Sequence, residues 1–195
     1  MGDSHLSMVG KTLEINAVNS VSIRGGRIQS IRKYLEGKGW LKGVNYFFIL
    51  GGGNDLDGGS PAKVATELED LVFDLRQKNQ DVVVVTGTII PRGGAVDNQA
   101  TFVDKVFRVD SLMSQWGVHH HHFLSDIFFA DAGPGGPGGI REELFIYDKT
   151  HLNKQGRELL IEAFEFLIMS VETNNFTGRH NWGTEETARS IMWKF

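Results

Sequence analysis

Cysteine is absent from the 195-residue chain, which excludes both a disulfide framework and a thiol nucleophile. Proline is scarce, with 4 residues against 24 glycines, and the glycines cluster in loops without forming a repeat. No apolar run is long enough to span a bilayer and no signal peptide precedes Gly2, so we expect a cytoplasmic protein. The net charge of −4 provides no strong field for nucleic acid or an anionic membrane, and we expect neither as a partner.

The order of apolar patterns predicts an α/β protein. Hydrophobic residues make up 41% of the chain, and 195 residues suffice for one domain with a sizeable core. Strands are predicted over residues 13–23, 44–50, 82–85 and 119–124. Helices with one apolar face are predicted to begin near Ile28, Pro61, Asn98 and Asn153. Ser60 and Asn153 are predicted N-caps, and the helix from Pro61 is predicted to bury Val64, Leu68, Leu71, Val72 and Leu75. Such alternation is typical of βαβ units, and hence of a three-layer α/β/α fold with a mostly parallel central sheet.

Two short segments far apart in the chain contain the residue types of a serine hydrolase. Asp148 and His151 are three positions apart, a spacing that places both side chains on one side of a helical turn. A carboxylate can then orient the imidazole, while the other ring nitrogen faces a serine hydroxyl such as that of Ser4. In a parallel sheet the loops at the carboxyl ends of the strands meet at one edge, so these distant residues can converge there.

Four blocks in chain order resemble the SGNH (GDSL) hydrolases. They are Gly2-Asp3-Ser4, Gly25, Gly53-Asn54-Asp55 and Asp148-x-x-His151. The resemblance extends to about Val171, and its details are most similar to esterase-like domains of non-LTR retrotransposons and related animal proteins. A non-enzymatic relative, the OSK domain, has the same fold but binds RNA and lacks the catalytic set.

The resemblance implies a carboxylic ester hydrolase without cofactor or metal. Ser4 would attack the ester carbonyl, His151 would transfer the proton, and Asp148 would orient His151. The oxyanion would be bound by the backbone N–H groups of Ser4 and Gly25 and by the side-chain amide of Asn54. Gly26 is an alternative to Gly25 because the two glycines are adjacent. The expected substrate is a small or lipid-like ester.

Each of these residues also has a simpler structural interpretation. Ser4 could cap a helix, the glycine pair could form a tight turn, and Asn54 could form an Asx turn. Asp148 and His151 could be a loop ion pair. The second functional hypothesis is therefore a catalytically weak or inactive binding module that retains the fold, as the OSK resemblance allows.

Three further features carry weaker hypotheses. Consecutive histidines at 119–122 point to alternate faces of a strand, so at most two could converge, and we favour a solvated strand edge over a metal site. Arg92 could contact substrate, but pairing with a nearby carboxylate is the preferred interpretation. We expect residues 1–173 to form the hydrolase-like domain, and residues 174–195 a tail that docks on it.

The first strand of the predicted fold has no corresponding segment, because Ser4 follows Met1 almost at once. Three explanations remain open. The sequence is a piece of a longer polypeptide, or the gene product is truncated, or another segment such as residues 189–195 fills the gap. A real gap would leave Ser4 loosely held and the activity low.

Overall fold

The protein was analysed as a computed structural model, which describes residues 1–2, 21–36, 43–92, 97–116, 120–122, 125–130 and 138–173. The chain divides into two compact units, Met1–Ala163 and Phe164–Phe195. The first unit contains the sheet. Of the second, the described part is the end of one helix. The predicted tail lies outside the described residues, so the boundary at residue 173 stays a prediction.

The described elements alternate between helix and strand, as the apolar pattern predicts. In chain order they are α1 (Ile28–Leu35), β1 (Tyr46–Ile49), α2 (Gly53–Leu56), α3 (Pro61–Lys78), β2 (Val83–Gly87), α4 (Gln99–Trp116), β3 (His120–His122), α5 (Ser125–Phe128), a 3₁₀ turn (Glu142–Leu144) and α6 (Lys154–Thr173). Strand β1 is shorter than the predicted 44–50, whereas β2 begins one residue later and ends two residues later than the predicted 82–85. The ends of the predicted strand at 119–124 lie outside the described residues. Most of the predicted strand at 13–23 lies outside the described residues.

The three strands form a parallel sheet in the order β1-β2-β3. Tyr46 is paired with Val83, and Val85 is paired with His120. Successive residues Val84 and Val85 are both buried, although their side chains point to opposite faces of the sheet. The middle strand β2 is therefore covered on both faces, and the parallel pairing confirms the predicted α/β class with a parallel sheet.

Helix α3 shows why the apolar spacing predicted the core well. It packs beside α4 and against α1. Its buried face consists of the predicted Val64, Leu68, Leu71, Val72 and Leu75, together with Ala65. Ser60 occupies the predicted N-cap position and its carbonyl accepts the Val64 N–H at 3.1 Å. Its hydroxyl makes no capping hydrogen bond, so the predicted side-chain cap was wrong.

Met1 and Gly2 lie between β1 and residues 21–23, at the position of the predicted first strand. Gly2 forms parallel bridges with Ser22 on one side and Leu50 on the other. Its N–H donates to the Val21 carbonyl at 3.1 Å, and its carbonyl accepts the Ile23 N–H at 2.9 Å. The Met1 nitrogen donates to the Phe48 carbonyl. Gly2, Ser22 and Leu50 are therefore level with one another, with Gly2 at the start of the first sequence block and the other two shortly before the second and third blocks.

Candidate active site

Asp148 and His151 form a hydrogen-bonded pair in a short hairpin. Asp148 Oδ2 lies 2.7 Å from His151 Nδ1. The predicted contact is present, but the predicted helical turn is wrong. An antiparallel bridge between Phe145 and Leu152 closes the loop, and Lys149 adopts a left-handed φ of 52°. That conformation, costly for a residue with a Cβ, folds the chain back so that positions 148 and 151 meet.

The Asp148 carboxylate organises both the backbone of this loop and the histidine ring. Its Oδ1 accepts the Thr150 N–H at 2.8 Å and the His151 N–H at 2.9 Å. Desolvation of the carboxylate opposes its ionisation. Other interactions outweigh this desolvation and lower the pKa of Asp148 from 3.8 to about 2. They are the hydrogen bonds from the His151 backbone and ring, the hydrogen bond from the Thr150 N–H, and the charge of the nearby imidazole. Asp148 is therefore a carboxylate at neutral pH and requires the proton on Nδ1 of a neutral His151, which leaves Nε2 for proton transfer.

Asn153 anchors the base of the hairpin to the start of α6. Its Oδ1 accepts the Gly156 N–H at 3.0 Å, which confirms the predicted cap of the last helix. Its Nδ2 donates to the Glu143 carbonyl at 2.6 Å and to the Phe145 carbonyl at 3.3 Å. One side chain thus joins the helix to the strand-like residues that lead into the Asp148–His151 loop.

The segment before the hairpin is tied to the chain that follows β3. An antiparallel bridge joins Phe129 to Ile140, and the Arg141 N–H donates to the Phe128 carbonyl at 2.9 Å. Arg141 Nη1 also donates to the Ile127 carbonyl at 3.1 Å. Because residues 125–130 follow β3, these bonds connect the hairpin segment to the carboxyl end of the sheet.

The Gly25 and Asn54 blocks lie next to each other. Gly25 has a φ of 63°, in the region that favours glycine. Asn54, on α2, donates from Nδ2 to the Gly26 carbonyl at 3.0 Å. The Gly26 N–H donates to the Ile23 carbonyl at 2.8 Å, which disfavours the alternative that Gly26 provides the oxyanion donor. The arrangement also differs from an Asx turn, because Asn54 lies within a helix and bonds to a distant loop.

Asp55 makes the second connection between these two blocks. Its Oδ2 accepts the N–H of Ile28, the first residue of α1, at 3.1 Å. Burial raises the pKa of the Asp55 carboxyl above its ordinary value, and the Ile28 hydrogen bond opposes that increase. A carboxylate at a helix N-terminus is favourable, because it satisfies an N–H group that has no partner within the helix.

Arg92 approaches Asn54 from the loop after β2. Its Nη1 donates to Asn54 Oδ1 at 3.0 Å. The described partner is an amide oxygen, and the predicted pairing of Arg92 with a carboxylate stays a prediction. The sequence signal was the Pro91-Arg92 pair at the end of a buried strand. Nothing in the sequence indicated which of the neighbouring loops the arginine would contact.

Ser4 and His119 lie outside the described residues. The backbone of His120–His122 forms β3. Within the described ranges there is no group of three His, Cys, Asp or Glu side chains that could hold a metal ion. The described candidate residues thus form two groups: Asp148 with His151, and Asn54 with the Gly25-Gly26 loop.

Most of the chain matches one family of known proteins. Residues 5–159 match the GDSL-like lipase/acylhydrolase family. The chain belongs to that family. Asn54, Asp148 and His151 lie within the matched range, and Ser4 immediately precedes it. No curated protein sequence matches this GDSL-like chain.

Solved structures share the fold at low sequence identity. The OSK domain of Drosophila Oskar is 15% identical with a TM-score of 0.63, over 85% of each chain. A lipase/acylhydrolase from Enterococcus faecalis is 15% identical with a TM-score of 0.57, over 86% of this chain and 92% of that one. A carbohydrate esterase family 3 protein from Talaromyces cellulolyticus is 17% identical with a TM-score of 0.58, over 78% and 71%. These similarities establish the fold of the GDSL-like chain.

None of its described helices has the length and hydropathy required to cross a membrane.

Proposed function

We propose that the protein is a serine esterase that cleaves a small or lipid-like carboxylic ester. The observation that carries the proposal is the 2.7 Å contact between Asp148 and His151 Nδ1, made by a carboxylate whose pKa is lowered to about 2. A surface ion pair would need only the ring contact. Here the same carboxylate also accepts two backbone N–H groups and so fixes the ring relative to the loop.

The reaction would proceed in two halves. Ser4 Oγ attacks the ester carbonyl carbon while its proton moves to His151 Nε2, and Asp148 stabilises the resulting imidazolium. The tetrahedral oxyanion collapses, the bond to the alcohol oxygen breaks, and His151 returns the proton to that oxygen. Water, activated in the same way, then releases the acid from Ser4. This scheme needs no cofactor.

The oxyanion would be held by the N–H groups of Ser4 and Gly25 and by Asn54 Nδ2. One hydrogen of Asn54 Nδ2 is used by the Gly26 carbonyl, and the second is the one that would bind the oxyanion. The bridges of Gly2 with Ser22 and Leu50 support convergence, because Gly2 is two positions before Ser4. Ser22 likewise precedes Gly25, and Leu50 precedes Asn54.

Labelling with a fluorophosphonate probe tests the proposal, because the probe reacts with activated serines. We expect the wild-type protein to be labelled, and labelling to disappear in Ser4→Ala and in His151→Ala. Ser60→Ala is the matched control, because Ser60 is exposed and its hydroxyl makes no capping bond. That variant should be labelled like the wild type.

Absence of labelling in a wild-type protein with a folded circular-dichroism spectrum would contradict the esterase proposal. It would instead favour the binding module, the function class that the fold similarity to the OSK domain allows. Labelling that persists in His151→Ala would show that a different base activates the serine.

A further inference from the structure

We propose that Arg92 is a positioning residue that sets the orientation of the Asn54 amide. The inference rests on the proposed function, because it assigns a role for Asn54 in binding the oxyanion. Its basis is a chain of two hydrogen bonds: Arg92 Nη1 to Asn54 Oδ1 at 3.0 Å, and Asn54 Nδ2 to the Gly26 carbonyl at 3.0 Å.

A primary amide has two ends of similar size and opposite hydrogen-bonding character. Arg92 has only donors and the Gly26 carbonyl has only acceptor lone pairs. Rotating the Asn54 amide by half a turn would place donor against donor and acceptor against acceptor. The two partners therefore select the orientation in which Nδ2 lies beside the glycine loop, as oxyanion binding requires.

The guanidinium is itself held in place from two further sides. Its Cζ lies 5.5 Å from the ring centroid of Phe102, a fully buried residue on α4. On another side it lies against Gly53, where a Cβ would be only 2.7 Å from Arg92 Nη2. A planar cation stacked over an aromatic ring keeps a defined direction for its N–H groups. A lysine could supply the charge but not this geometry.

The charge of Arg92 would also assist the chemistry through Asn54. A cation that donates to Oδ1 draws electron density from the amide and makes its N–H groups better donors, and charge-assisted hydrogen bonds are stronger than neutral ones. The effect increases as negative charge develops on the substrate oxygen. Loss of Arg92 should therefore lower kcat and leave KM almost unchanged.

The experiment measures hydrolysis of a short-chain aryl ester by Arg92→Met, Asn54→Ala and the double variant. We expect Arg92→Met to lower kcat about 10- to 100-fold, because a displaced donor binds the oxyanion poorly. In the Asn54→Ala background the same change should have almost no further effect, since the amide through which Arg92 acts is gone. Arg92→Lys should fall between wild type and Arg92→Met. Arg32→Met is the control and should leave kcat unchanged. It also removes a half-buried arginine, but one that pairs with Asp74 on α3.

Three kinetic results would overturn the proposal: an unchanged kcat in Arg92→Met, an increase in KM alone, or an equal loss with and without Asn54. A second measurement is independent of turnover. The side-chain amide signals of Asn54 in a ¹⁵N–¹H spectrum, assigned by their loss in Asn54→Ala, should move toward those of a free asparagine in Arg92→Met. Signals that stay in place would refute the positioning role even if the wild-type protein fails to react with the fluorophosphonate probe.

Discussion

Asp148 illustrates what a residue pattern can predict and what it cannot. The spacing of Asp148 and His151 correctly predicted that their side chains meet. It did not predict the hairpin, because the left-handed conformation of Lys149 and the bridge between Phe145 and Leu152 have no signature in residue type. The contact of Arg92 with Asn54 was not predicted, for a related reason. Its partner, Asn54, is 38 positions away, and only the packing of two loops decides which group the guanidinium contacts.

The lowered pKa of Asp148 leads to a prediction on stability against pH. The ionised carboxylate stabilises the folded state fully above its ordinary pKa of 3.8, and this contribution is lost as the pH falls through about 2. We expect Asp148→Asn to be less stable than wild type at about pH 4, with the difference shrinking as the pH falls toward 2. Urea unfolding at a series of pH values measures both proteins.

The comparison reports on Asp148 together with its contact to His151. A difference that stays constant down to pH 2 would show that the hydrogen bonds of the carboxylate do not favour its charged form.

At the scale of elements, helix α6 and the Asp148–His151 hairpin are joined through Asn153. We expect Asn153→Ala to cost about 1–2 kcal/mol in the free energy of unfolding, because the Gly156 N–H loses its cap and two carbonyls lose a donor. Asn153→Ser should cost less, because its hydroxyl can still cap the helix. Chemical denaturation provides the measurement. Equal stability of Asn153→Ala and wild type would mean that solvent satisfies these groups equally well.

The helices were predicted well because an apolar face repeats many times along a long element. Helix α3 was predicted at its first residue, Pro61, and five of its buried positions were identified. The strand bounds were less accurate, since Leu50, Ile89 and Ile90 are buried although they lie past the ends of β1 and β2. Burial determines the apolar pattern, whereas hydrogen bonding determines where a strand ends.

At the scale of the whole molecule, the middle strand β2 of the sheet is buried on both faces. We expect Val84→Ala and Val85→Ala each to cost about 2 kcal/mol, because each change removes buried methyl groups and leaves a cavity. Phe73→Ala is the control: its side chain is 62% exposed, and its loss should cost no more than about 0.5 kcal/mol. Thermal and urea unfolding test the three variants. A negligible cost at either valine would mean that one face of β2 is not packed.

The order of the blocks along the chain predicted the architecture of the molecule because parallel sheets bring the ends of their strands to one edge. The bridges of Gly2 with Ser22 and Leu50 are the described contacts that bring three of these chain segments side by side. The sequence could not predict that Met1 and Gly2 would lie between two neighbours, since two residues are too few to show a strand pattern.

The double use of the Asp148 carboxylate has an evolutionary consequence. One carboxylate oxygen accepts hydrogen bonds from the backbone of the turn, and the other contacts the His151 ring. A single mutation of this codon would therefore remove the support of the loop and of the imidazole together. Restoring a carboxylate at a neighbouring codon would recover neither.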